Sequence, residues 1–100
     1  MNTKRQNDTI RCNDGFSMSV QASKTHYCVP RNNTGPYCSV EVGMPSSKEQ
    51  LLMPYAEDPE NPTGSVYGYV PSETVWDTII KHGGHAGGEL PPLFYGDTNG

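Results

Sequence analysis

The 100-residue chain contains no run of about 18 apolar residues, which excludes a membrane-spanning helix from its reading. Its opening, Met1-Asn2-Thr3-Lys4-Arg5-Gln6, leads into further polar residues and not into an apolar signal core. The expectation is a protein that neither spans a membrane nor enters the secretory route. Basic residues are scarce: seven Lys plus Arg against eleven Asp plus Glu give a net charge of -4. That is the wrong sign for a chain that holds nucleic acid by releasing counterions, so direct nucleic-acid binding is not expected. Strong apolar residues are also few. Leu, Ile, Val and Phe number 16, beside 11 Gly and 9 Pro. This leaves one small domain near the lower limit of a self-sufficient core and excludes a multidomain enzyme.

Cysteine is short and odd in number: Cys12, Cys28 and Cys38 in a chain for which no export signal is expected. Free thiols in a reducing compartment are the expectation. The triplets Asn7-Asp8-Thr9 and Asn32-Asn33-Thr34 match a glycosylation acceptor but, without secretion, read as polar loop.

Residues 1–15 hold one Ile and no aromatic and are expected to be a flexible polar arm. Residues 84–100 hold five Gly and the pair Pro91-Pro92, and read as a Gly/Pro-rich tail ending in the cluster Leu90-Pro91-Pro92-Leu93-Phe94-Tyr95. Residues 16–83 then form a single domain. Within it, Phe16, Met18, Val20 and Ala22 alternate with Ser17, Ser19 and Gln21, the period of a half-buried strand. Cys38, Val40 and Val42 repeat the pattern, and Asn32-Asn33-Thr34-Gly35 supplies turn residues for a hairpin between the two arms. In a third run, Val66-Tyr67-Gly68-Tyr69-Val70, alternation puts both tyrosines on one face and both valines on the other.

After Pro71 the pattern changes to helix. Ser72 is a candidate N-cap, Glu73 lies in the first turn and Gly83 is the stop. Val75, Trp76, Ile79 and Ile80 form the stripe expected to cross the valine face of the strands. The fold class is therefore α+β: a small antiparallel sheet of three to four strands packed by one C-terminal α-helix, with flexible N- and C-terminal arms.

Chemical motifs are sparse. His26, Cys28, Cys38, His82 and His85 are metal-ligand types, but Cys28 and Cys38 stand ten apart instead of on a tight knuckle, so no metal or other cofactor is expected. No Cys-x-x-Cys, Gly-x-Ser-x-Gly or phosphate-binding loop is present, and an enzyme is not expected. His26 two residues before Cys28 is the one nucleophile-and-base pairing, and it arises cheaply by chance.

Six tyrosines are the notable excess. Tyr27, Tyr37, Tyr67 and Tyr69 fall on or beside predicted strands, and if Val66 and Val70 meet the helix, Tyr67 and Tyr69 face outward. Outward rings beside Arg31 and Asn33 suit recognition, as does the acidic loop carrying Tyr55, Glu57, Asp58 and Glu60. A second layer or a homodimer covering that face accounts for the tyrosines equally well.

The strings Met18-Ser19-Val20-Gln21-Ala22-Ser23, Met53-Pro54-Tyr55-Ala56-Glu57-Asp58-Pro59-Glu60-Asn61-Pro62-Thr63 and Lys81-His82-Gly83-Gly84, with residues 37–46 and 66–71, resemble small accessory proteins of tailed bacteriophages. The resemblance is spread over residues 18–84 and carries no functional residue across. It implies a viral product in a host bacterial cytoplasm. By analogy with anti-CRISPR proteins it implies an inhibitor of host machinery or immunity. Three functions follow as expectations. The first is a non-enzymatic binder that inhibits a host protein through the ten residues Tyr27, Arg31, Asn33, Tyr37, Tyr55, Glu57, Asp58, Glu60, Tyr67 and Tyr69. The second is an oligomeric nucleotide-sequestering module, and the third a minor virion structural protein.

Overall fold

The two alternating runs Ser17–Gln21 (β2) and Ser39–Gly43 (β3) pair antiparallel in a computed structural model that describes residues 6–94. Val20 stands opposite Val42, so the apolar faces of both strands coincide and Met18, Val20, Val40 and Val42 are all fully buried. Ile10–Cys12 (β1) and His85–Gly87 (β5) continue the sheet on one side and Val66–Pro71 (β4) closes it on the other. The order is β4-β3-β2-β1-β5, with every neighbour antiparallel. One helix, Ser72–Lys81 (α1), follows β4 directly. The α+β class is as expected, with five strands among the described residues in place of three or four.

Two expected boundaries are corrected. Residues 10–12 lie in no arm: Ile10 pairs with Met18 and is fully buried, because the turn Asn13-Asp14-Gly15 folds β1 back onto β2. The Asp14 carboxylate accepts the Phe16 N–H at 2.9 Å, and the Cys12 N–H donates to the Phe16 carbonyl at 2.8 Å. Likewise residues 84–94 are more than a tail. β5 pairs with β1, the Tyr37 N–H donates to the Pro92 carbonyl, and the Phe94 N–H donates to the Tyr37 carbonyl. Residues 1–5 of the expected arm and 95–100 of the expected tail, Tyr95 included, lie outside the described residues.

Helix α1 ends as its glycines dictate. The Gly83 N–H donates to the Ile80 carbonyl and the Gly84 N–H to the Ile79 carbonyl, the paired bonds of a left-handed helix stop. Its start differs from expectation, since Pro71 holds the N-cap position. The Ser72 hydroxyl donates instead to the Tyr37 carbonyl at 2.6 Å, tying the helix to the strand before β3. The buried stripe is also rotated. Ser72, Val75, Thr78 and Ile79 are buried and Trp76 packs half-buried against the core, whereas Ile80 is 70% exposed. At 100° per residue Ile80 falls one step past Trp76 on the solvent side.

The alternation expected in β4 is broken by a register shift. Val40 pairs with Val70 and Val42 with Tyr67, so three steps on β4 match two on β3. The extra residue is absorbed at Gly68-Tyr69, where Tyr69 takes a φ of 54°. Tyr67 and Val70 therefore both point inward and are fully buried, while Tyr69 stays 48% exposed.

β5 depends on a close backbone approach at Gly88. A Cβ there would overlap the Thr9 carbonyl oxygen and come within 2.7 Å of the Ile10 Cα, and the φ of 91° disfavours any side chain. Gly88→Ala is expected to cost about 2 kcal/mol in chemical denaturation. Faster amide exchange at residues 85–87 than at 39–43 would locate the loss in the β1–β5 pairing.

Candidate functional site

The segment after β2 turns at residues 23–26, where the His26 N–H donates to the Ser23 carbonyl, and then crosses to β4. At Tyr27 it is tied to both β3 and β4. The Tyr27 N–H donates to Glu41 Oε1 at 3.0 Å, from a carboxylate that the alternation of β3 places opposite buried Val40 and Val42. The Tyr69 N–H donates to the Tyr27 carbonyl at 3.1 Å. The left-handed turn at Tyr69 thus aims its ring at Tyr27. The ring centroids lie 5.8 Å apart at an interplanar angle of 32°, and the two residues are 41% and 48% exposed. The Arg31 guanidinium sits 5.6 Å from the Tyr27 centroid, with its Nε donating to the His26 carbonyl at 3.0 Å. Val29 is 45% exposed, and Glu57 Oε2 and the Tyr27 side chain both approach Gly68.

Four of the ten expected contact residues, Tyr27, Arg31, Glu57 and Tyr69, meet in this patch. Asp58 and Glu60 are exposed farther along the same loop as Glu57. Asn33 is exposed, but its Oδ1 accepts the Lys24 N–H at 3.0 Å and so braces the turn at residues 23–26. Tyr37 and Tyr67 are corrected out of the contact surface. Tyr37 is 2% exposed with its hydroxyl donating to the Asn32 carbonyl, and Tyr67 is fully buried with its hydroxyl donating to the Pro62 carbonyl. Burial pushes both phenols above the usual tyrosine range. Tyr55 is half-buried and packs against the core. The register shift explains Tyr67, and the docking of residues 92–94 onto Tyr37 explains the other. Val29 and Glu41 went unnoticed in the sequence because nothing local says that the segment after β2 crosses to β4.

The histidines and cysteines do not converge. Among the described residues no three His, Cys, Asp or Glu side chains are placed to hold a metal ion. His26 Nδ1 lies 2.7 Å from Ser23 Oγ, while the Cys28 thiol donates to the Ser23 carbonyl at 3.0 Å. The imidazole is thus engaged away from the thiol, and burial pushes the Cys28 pKa up, which disfavours the thiolate that a nucleophile needs.

His82 anchors a second cluster that the sequence did not disclose. Its Nδ1 lies 2.6 Å from Asp14 Oδ2 and its Nε2 2.6 Å from Glu49 Oε1, with the ring stacked on Phe16 at 4.1 Å. Lys81 Nζ donates to the other Glu49 oxygen at 2.7 Å, and Glu49 is 2% exposed. Burial opposes the charge on both His82 and Glu49. The mutual hydrogen bonds outweigh it, raising the imidazole above its ordinary range and, with the Leu51 N–H and Lys81, lowering the carboxyl. Asp14 is lowered by the Phe16 N–H and by His82. This cluster clamps the β1–β2 turn, the residues before Met53–Tyr55 and the end of α1 to one another.

Among the described residues no helix is long and apolar enough to cross a membrane. No known family, curated protein or solved structure matches the chain.

Proposed function

We propose that this chain is a non-enzymatic binding protein that inhibits a host protein, with the Tyr27–Tyr69 pair and Arg31 at the centre of its contact face. The observation that supports it is a pair of half-exposed aromatic rings, already in contact and capped by a guanidinium. Such residues dominate protein interfaces because a large rigid ring loses little conformational freedom when it is covered. The exposed Asn32 to Thr34 turn and the acidic residues Glu57, Asp58 and Glu60 form the polar surroundings. In the phage setting that the sequence resembles, the partner is a bacterial host protein met in the cytoplasm, with an immune factor as one candidate class.

The geometry favours a protein partner over the nucleotide reading at this face. A base inserted between two rings needs about 7 Å, twice the 3.4 Å stacking distance, and the 5.8 Å tilted pair leaves no slot for one.

The test compares the tagged chain with a Tyr27→Ala/Tyr69→Ala double variant in host lysate. A bacterial protein retained by the first and lost by the second is the expected result, with affinity reduced about thirtyfold or more. The same proteins on both, with the variant folded by circular dichroism, would refute the proposal. Occupation of the face by a second copy would show as a dimer in sedimentation that the double variant dissolves.

A further inference from the structure

Beside the turn at residues 23–26 the chain encloses a cleft of about 700 Å³, within the range of small-molecule sites. We propose that this cleft binds a small organic anion. Tyr27, Arg31 and Tyr69 do not line it, so the inference is separate from the aromatic centre of the proposed protein-binding face, whose polar edge meets the cleft at Asn33.

Its walls differ in chemistry. The turn at residues 23–26 brings the hydroxyl, ammonium and imidazole groups of Ser23, Lys24, Thr25 and His26 to it, and Asn33, bonded to the Lys24 N–H, adds an amide. An apolar part comes from Leu90, Pro91 and Tyr37 where residues 92–94 dock beside Tyr37, and the amides of Asn7 and Gln21 complete the lining. The wall groups are held in place by bonds within the turn. Ser23 Oγ lies 2.7 Å from His26 Nδ1 and 3.0 Å from Thr25 Oγ1 and accepts the Thr25 N–H, while Asn33 Oδ1 accepts the Lys24 N–H.

Charge selects the ligand. The chain carries eleven Asp plus Glu and a net charge of -4, yet among the described residues no carboxylate lines this cleft, and Lys24 brings an ammonium to it. A cation would meet only repulsion from Lys24. A phosphate or carboxylate would meet the ammonium and the hydroxyl donors, charge-assisted bonds of the stronger kind. The apolar wall then suits the body that carries the anion, a flat ring or a short hydrocarbon, since inorganic phosphate would leave Leu90 and Pro91 uncovered.

Calorimetric titration of the full chain tests this with adenosine 5′-monophosphate and benzoate, a phosphate-headed and a carboxylate-headed probe, each beside its neutral counterpart, adenosine and benzyl alcohol. Saturable binding of at least one anion, with its neutral counterpart about tenfold weaker or worse, is expected. Lys24 is exposed, so Lys24→Glu leaves the unfolding midpoint unchanged and weakens that anion about tenfold. Thr25→Trp, also at an exposed position, fills the cleft and removes the binding. Failure of both anions to bind at millimolar concentration, equal binding of the neutral probes, or binding indifferent to Lys24→Glu would each overturn the proposal. The Tyr27→Ala/Tyr69→Ala variant retains the anion whether or not it loses a protein partner, so the two proposals fail separately.

Discussion

Tyr67→Ala lowers the free energy of unfolding by about 3–5 kcal/mol in urea denaturation, whereas Tyr69→Ala, two residues away on the same strand, changes it by less than about 0.5 kcal/mol. The contrast follows from the shifted register of β4. Tyr67 stands opposite Val42 with no exposed surface, and its hydroxyl is satisfied inside the protein by the Pro62 carbonyl. Removing the ring takes away its transfer free energy and leaves a cavity in the core, which the surrounding strands relax into only partly. Tyr69 by contrast is half-exposed and meets Tyr27, itself at the surface. A loss of this size is a large part of the net stability of a 100-residue domain, so the Tyr67 variant is expected to be partly unfolded at physiological temperature. Tyr67→Phe separates packing from hydrogen bonding and should cost about 1 kcal/mol. Equal effects of Tyr67→Ala and Tyr69→Ala would restore plain alternation and remove the register shift.

His82→Ala is the second large change, about 3 kcal/mol near pH 6, because it leaves Glu49 buried with one of its two charged partners gone and uncovers the Phe16 ring. The same cluster sets the pH dependence of the fold. His82 is raised in the folded state, so its contribution is fully present below the ordinary histidine value of 6.5 and fades as pH rises through the raised value. A neutral imidazole carries one N–H and can donate to only one of the two carboxylates that flank it. Glu49 and Asp14 are lowered, so their contributions are present above the ordinary values of 4.5 and 3.8 and fade as pH falls below them. Stability is therefore expected to be highest between about pH 4.5 and 6.5 and to fall on both sides. Denaturation midpoints from about pH 3 to about pH 9 measure it. The alkaline decline should vanish in His82→Ala, and a wild-type profile with no alkaline decline would contradict the assignment.

Some of this was legible from local pattern. Period-two alternation placed β2 and β3, and the run ending at Gly83 placed α1, because both depend on residues within a few positions of one another. The β1–β2 turn was equally local, since Asp14-Gly15 is a hairpin signal, but the polar composition around it concealed the three-residue strand containing Ile10. Of the candidate site, Tyr27 and Tyr69 stood out through the surplus of tyrosine and Arg31 through its place near Tyr27 in the chain, while their contact was not readable: it needs the left-handed turn at Tyr69 and the crossing of the segment after β2.

The amino-acid order alone settled the α+β class, the antiparallel central pair and the stop of the helix, since backbone geometry, side-chain period and glycine act over short stretches. Tertiary structure decided which tyrosines face solvent, that residues 10–12 and 85–87 complete one sheet, and that His82 lies between carboxylates 68 and 33 positions away. Those outcomes come from packing and charge pairing between segments distant in the chain, where one extra residue in β4 moves a ring from surface to core and no local period records it.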